Sequence, residues 1–262
     1  MLAVIKIMKK EKFLELFSKE AEKEAQKLYN YFETAEKYEI NICTEEFYTP
    51  NFWKELGEKI GSIKIKTHGL SDISERRQIL FIADENQSLE FSYKILEIKN
   101  LSKFKEQEHK DYLGSILGLN IKRELLGDIM VLENKAYIIV SDKISEYLVN
   151  NLNQIGKSPC EVTITDEISD IPTTEFKEII IRVSSERLDS VVAELINISR
   201  TNVVSGIESG NIMLNYTVQK RKDKALNISD VITIRKHGKY IFSEDLGYTK
   251  KGKKKLLFKK YT

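Results

Sequence analysis

Cysteine, histidine and proline are scarce in this 262-residue chain, with two, three and three copies. Cys43 and Cys160 lie far apart, and neither has a cysteine or histidine at ligand spacing. A disulfide framework and a structural metal are therefore not expected, and both thiols read as small buried hydrophobes of a reducing compartment. Three scattered histidines assemble no nucleophile–base constellation. No G-x-G-x-x-G or Walker-type run occurs, so the glycine loop that a methyltransferase or nucleotide fold needs is missing, and no cofactor is expected. Apolar runs reach only a few residues, and the N-terminus has no export-type hydrophobic segment. The expectation is a cytoplasmic protein with no membrane partner.

What is present is ordinary in amount and uneven in distribution. Hydrophobic residues make up 41% and charged residues 31%, as in a soluble globular protein of one large or two to three small domains. The net charge of +2 hides an asymmetry: Arg182 onward carries 17 Lys and Arg against 8 Asp and Glu, and the first 181 residues carry 25 against 32. Positive charge gathered in the last third points to a polyanion partner.

That third has a legible pattern. Leu188, Val191, Val192, Leu195 and Ile196 mark one apolar helix face; Ser184 or Ser185 is a candidate cap, and Arg187, Asp189, Ser190 and Glu194 are left for the other face. Ser199 caps a second helix, with Arg200 first and Val203 and Ile207 one turn apart; Gly206 and Gly210 are candidate stops. Ile212 and Leu214 alternate as in a strand, Asn215 suits a turn, and Val231, Ile232 and Ile234 suggest the return. An arginine at a helix start, beside free N–H groups and the positive dipole end, makes a phosphate seat.

Earlier in the chain, Phe13, Leu16, Phe17, Ala21, Ala25, Leu28 and Phe32 predict one long helix over 11–34. Thr49-Pro50 opens a second helix that Gly61 stops, and a strand follows around Ile63 and Ile65. From Ile79 the signals are a strand to Ala83, a strand from Phe91 to Lys99, a helix from His109 to Leu117 and a looser amphipathic piece to Leu125. A hairpin of Asp128–Leu132 and Ala136–Val140, a helix from Lys143 to Leu152 and a strand from Glu161 to Ile164 complete it. From Tyr93 that is β-α-β-β-α-β, the split βαβ order of ferredoxin-like domains. The predicted class is α+β, with a mainly helical region over 1–75, a ferredoxin-like domain over 76–170, a linker over 171–181 and a basic domain over 182–262. The tail KKGKKKLLFKK, Lys250 to Lys260, holds seven lysines in eleven residues and reads as an electrostatic arm, flexible until it meets phosphates; Leu256, Leu257 and Phe258 hint at a final strand.

Arg187-Leu188-Asp189, Ser199-Arg200, Ile207, Gly210, Ile212, Leu214-Asn215 and Asp230-Val231-Ile232 resemble the αL RNA-binding domain of ribosomal small-subunit protein four. That family has Asn-Gly in the turn where this chain has Asn215-Tyr216, so a wider turn, or a left-handed Asn215 alone, is expected. HKDYLGSILGLNIKRELLGDI, His109 to Ile129, resembles the signature of the bacterial YlmH family, as does Gly69 followed by Glu75-Arg76-Arg77. His68 and Asn120 stand where that family has glycine. The resemblance implies association with the large ribosomal subunit, in rescue of stalled subunits that still hold peptidyl-tRNA.

The candidate RNA-binding residues are Arg187, Asp189, Ser199, Arg200, Thr201, Asn202, Lys220, Arg221, Lys222, Lys224, Lys239, Lys250, Lys251 and Lys253. Asp189 is expected to orient Arg187 or Arg200. Arg76, Arg77, Lys110, Lys122 and Arg123 form a possible second surface, with Gly114 and Gly118 open either to a close-approaching backbone or to tight helix packing. His109 and Asp111, two apart, do not face each other on a helix. Arg-Leu-Asp also surrounds the catalytic aspartate of one pseudouridine synthase class, but here it starts a small module, so no catalytic residue is assigned. The leading expectation is a monomeric, non-enzymatic binder of large-subunit ribosomal RNA that also meets peptidyl-tRNA. An RNA-modifying enzyme of the pseudouridine synthase or methyltransferase class, centred in residues 80–170, is the alternative. A protein adaptor working through the acidic first two-thirds is the third.

Overall fold

The computed structural model describes residues 8–88, 90–102, 106–166, 168 and 176–261. It divides into two compact units, Met1–Pro172 and Thr173–Thr262, of mixed helix and sheet. No described helix is long and apolar enough to cross a membrane.

The first unit opens with α1 (Lys10–Leu14) and α2 (Glu22–Tyr38), not with the single helix that the periodicity over 11–34 predicts. An extended Ser18 and a 3-10 turn at Lys19–Ala21 separate them. The reason is packing. In a straight helix Phe13 and Phe32 would stand about 28 Å apart; folded back, their rings stack at 5.2 Å, and Phe17 reaches Phe52 at 5.1 Å. β1 (Ile42–Cys43), which has too few residues to show a period, and α3 (Pro50–Lys59) come next. β2 (Lys64–His68) and β3 (Gln78–Ile82) complete a sheet of order β1-β3-β2, packed on Phe32, Phe52 and Leu56.

The unit continues with β4 (Tyr93–Asn100), α4 (His109–Gly118), β5 (Leu126–Val131), β6 (Lys135–Ser141), α5 (Asp142–Asn151), β7 (Gln154–Ile155) and β8 (Ser158–Thr165). These strands form an antiparallel sheet of order β5-β6-β4-β8-β7. Leu96, Ile98, Ile138 and Val140 meet Ile116 and Leu148 of the helices on one face; Phe47, Leu70, Tyr137 and Ile139 form a smaller cluster. The amphipathic piece expected to Leu125 is one 3-10 turn, Arg123–Leu125. It follows Asn120, whose φ of +62° is a conformation that asparagine tolerates and glycine favours, in keeping with the glycine expected there from the resemblance.

In the second unit come β9 (Phe176–Val183), α6 (Leu188–Ile196), α7 (Arg200–Glu208), β10 (Ile212–Leu214), β11 (Thr217–Val218), β12 (Val231–Ile234), β13 (Gly238–Tyr248) and β14 (Lys254–Tyr261). The sheet order is β11-β10-β12-β13-β14-β9. Residues 176–181, which the sequence puts in the linker, belong to a strand paired along its length with β14. From Lys254 the basic tail is β14, an inner strand as Leu256, Leu257 and Phe258 hint, and not a flexible arm. Leu256 and Phe258 alternate into the core, and Phe258 stacks on Phe242 at 5.1 Å. Seven lysines had masked a period of two.

Four local expectations need correction. α6 has Arg187 at its N-cap and no side-chain cap, so neither Ser184 nor Ser185 serves. Asp189 and Ser190, assigned to the outer face, are buried. Gly206 lies inside α7, and only Gly210 (φ +71°) follows it. Asn215 and Tyr216 both take the left-handed conformation, φ +49° and +67°, so Leu214 pairs directly with Thr217 across a two-residue turn.

Candidate nucleic-acid interface

The site is built around the start of α6. Leu188 N–H donates to the Lys224 carbonyl at 2.8 Å, and Asp189 N–H to the Lys222 carbonyl at 3.1 Å. Leu226 N–H returns to the Glu186 carbonyl at 3.0 Å. A loop 35 or so residues downstream in sequence therefore does the work of a helix cap, satisfying amides that would otherwise be orphaned, which is why no serine is needed there. The same bonds carry Lys222 and Lys224, both exposed, to the flank of Arg187.

Asp189 then joins two cations. Arg187 Nε and Nη2 donate to its two carboxylate oxygens at 3.2 and 3.1 Å, and Arg200 Nη2 donates to Oδ2 at 2.7 Å. Its side chain is 5% exposed, against 42% and 53% for Arg187 and Arg200. Burial alone would raise the carboxyl pKa; the guanidinium hydrogen bonds outweigh it and hold the group below the ordinary range. The two arginines are thus aimed by an anion that is itself withdrawn from solvent. At α7, the Ser199 hydroxyl accepts from Asn202 N–H at 3.2 Å, with Thr201 and Asn202 exposed.

The remaining candidates divide. Lys220 and Arg221 are exposed in the same loop, and Arg221 spends charge on Asp223 at 3.3 Å. Lys250, Lys251 and Lys253 are exposed in the turn before β14. That turn is held close to the site, because Lys254 Nζ binds Glu186 at 2.8 Å and Asp245 at 3.2 Å. Glu186 and Lys254 were not foreseen, since no spacing links residues so distant in sequence. Lys239 lies elsewhere, its ammonium over the rings of Tyr261 and Tyr216 at 5.0 and 5.5 Å.

In the first unit the five second-surface candidates are not one cationic rim. Arg76 turns inward, donating to the carbonyls of Leu126 (2.9 Å), Phe47 (2.8 Å) and Arg123 (3.3 Å). Burial, then the neighbouring charge of Arg123, pushes its guanidinium down to about 10. Arg123 donates to the carbonyls of Leu126 and Gly127, at 2.7 and 3.2 Å, and burial lowers it too. Arg77 donates to the Ser74 carbonyl at 2.8 Å and stacks on Trp53 at 4.8 Å. Lys110 pairs with Glu108 at 2.7 Å, and Lys122 is exposed. A Cβ at Gly114 or Gly118 would meet nothing within 4 Å, so tight packing does not require these glycines. Asp111 accepts from Glu108 N–H at 2.9 Å in a capping box. Among the described residues no three His, Cys, Asp or Glu side chains gather at metal-binding distance.

Residues 86–170 match the family described as "Putative RNA-binding domain in YlmH". "Ribosome-associated protein quality control protein P2" of Bacillus subtilis (strain 168) is 28% identical over 197 residues, covering 73% of this chain and 76% of that protein. Over residues 86–170 the chain is similar to YlmH. Among solved structures the chain is similar to "Cell division protein ylmH from Streptococcus pneumoniae", at 24% identity and a TM-score of 0.49, covering 57% of this chain and 93% of that one. The matched family segment is the β4–β8 sheet with α4 and α5, whereas the gathered cations lie in the second unit.

Proposed function

We propose that this protein binds structured RNA on the ribosome without making or breaking a bond, and serves quality control of stalled large subunits that hold peptidyl-tRNA. The observation that carries the reading is the fork of Arg187 and Arg200 on buried Asp189, with Lys222 and Lys224 fastened beside it by backbone hydrogen bonds. Guanidinium groups with fixed orientation suit phosphate oxygens better than mobile ammonium groups do. A-form RNA hides its base edges, so contacts of this kind recognise shape and backbone. The relative named for ribosome-associated quality control and the RNA-binding description of residues 86–170 support the assignment.

Within this reading, the β4–β8 sheet is a ferredoxin-like domain and the helix pair with its sheet an αL RNA-binding domain. The strand order 2-3-1-4 of β5, β6, β4 and β8 supports the first label, and the Ser199-capped helix behind the Arg187 fork supports the second. The partners are large-subunit ribosomal RNA and peptidyl-tRNA, and the protein acts as a monomer. The test is a sucrose-gradient profile of cell extract at moderate salt. Co-migration with free large subunits is expected, and confinement to the top of the gradient or to intact ribosomes would refute it.

A further inference from the structure

The core of the second unit uses one face of its six-stranded sheet, where Leu214, Ile232, Phe242, Phe258 and Ile181 meet α6 and α7. Strand alternation sends Thr233, Lys239, Ile241, Lys259 and Ile180 to the opposite face. That face is not a plain polar surface. Ile180 is 53% exposed and Phe176 is 40% exposed. Rings and a cation form a row across the strands: Phe176 meets Tyr261 edge-on at 5.0 Å, and Lys239 lies 5.0 Å from the Tyr261 ring and 5.5 Å from that of Tyr216. Arg182, Lys255 and Lys259 add charge on the same face, against Glu178 and Glu244.

Tyr216 supplies an independent sign. It holds φ +67° in a two-residue turn whose second position suits glycine, and a bulky residue there is strained. Strain of this kind persists where the side chain has work to do. Here the strained residue points its ring at Lys239.

We propose that this open sheet face is a second RNA site, taking an unpaired segment whose bases stack on Tyr216, Tyr261 and Phe176 while its phosphates engage Lys239 and Lys259. The inference rests on the RNA-binding reading above and adds a class of RNA to it. Every base has a π face, so an aromatic row beside cations takes single strands with little sequence preference. A duplex keeps its bases stacked on one another and offers this row nothing but phosphate. Lys239 already binds the two rings through their π electrons, and it exchanges part of that contact for phosphate when the strand arrives.

The test uses the full-length chain with two probes, a short unpaired oligouridylate and a blunt RNA duplex, read by fluorescence anisotropy. Tyr261→Ala and Tyr216→Gly should each weaken oligouridylate binding by about tenfold and leave duplex binding unchanged. Tyr216→Gly should melt at the parent temperature or above it, which separates lost stacking from lost fold. Lys222→Glu with Lys224→Glu should do the reverse, weakening the duplex by a larger factor than the oligouridylate. If both tyrosine variants bind oligouridylate as the parent does, the proposal is overturned. If the duplex fails to bind the parent while oligouridylate binding depends on the tyrosines, the phosphate-fork reading falls and this one stands.

Discussion

Replacing Asp189 with asparagine separates orientation from net charge. The substitution keeps the shape of a side chain that is 5% exposed and removes the anion shared by Arg187 and Arg200. Three hydrogen bonds are at stake, at 3.2, 3.1 and 2.7 Å. Fully buried, each would be worth about 1.5–3 kcal/mol. Both guanidinium groups are about half exposed, so water replaces much of that, and ~0.5–1 kcal/mol per arginine is the better scale. The expected loss is about 1–2 kcal/mol, or roughly 5–15 °C in the melting of the second unit. The depressed carboxyl pKa sets the pH window. Its contribution is complete above the ordinary value of ~3.9 and fades as pH falls through the lower folded value. Parent and variant should therefore differ at neutral pH and converge under strongly acid conditions. RNA affinity gives the sharper test. The variant is one unit more positive, so attraction by net charge alone predicts tighter binding, while a fork that must be aimed predicts weaker binding. Filter binding to a ribosomal RNA fragment, run beside calorimetry, decides; tighter binding by Asp189→Asn would refute the fork.

Other consequences are simpler to state. Four cations at the fork should give log K against log salt a slope of about −3, a loss of roughly 50- to 100-fold between 50 and 200 mM salt; a change below about twofold would remove the electrostatic account. Gly69→Ala places a Cβ 2.6 Å from the Ser74 Cβ and 3.0 Å from the Arg76 carbonyl oxygen. It should cost about 1–3 kcal/mol in urea unfolding, and no loss would mean that the loop yields freely. Arg76→Met strands the carbonyls of Phe47 and Arg123, Leu126 keeping Arg123 as its donor, and should cost about 2–3 kcal/mol while sparing RNA affinity. Lost affinity at unchanged stability would return Arg76 to an RNA surface.

Local signals in the sequence carried over where one short period dominated. The Ser199 cap, the Val203 and Ile207 face and the β6 strand were legible because each needs only neighbours a turn or two away. The Phe13–Phe32 stack was not, because the 11–34 periodicity is compatible with either a straight or a folded-back chain. Leu256, Leu257 and Phe258 hinted at β14, but the lysine count drew most of the tail into a flexible arm; Leu256 and Phe258 are the residues that pack. At the candidate site the arginines and Asp189 were readable, Asp189 as a helix-start residue that orients Arg187 or Arg200; the structure joins it to both. What sequence could not supply was the capping of α6 by the Lys222 and Lys224 carbonyls. Nor did it show that Arg76 and Arg123 satisfy carbonyls instead of facing solvent, since an arginine's stem reaches either way. Arg200 also proves to be structural in part, so charge reversal there disturbs Asp189 and is a poor probe of binding alone.

Lys222 and Lys224 give the cleaner probe, because both side chains are exposed and it is their backbone carbonyls that cap α6. Co-sedimentation of the Lys222→Glu, Lys224→Glu double variant with purified large ribosomal subunits tests the claim that cations fixed beside α6 hold the RNA. The variant should stay in the supernatant while melting with the parent, and pelleting as completely as the parent would contradict the account.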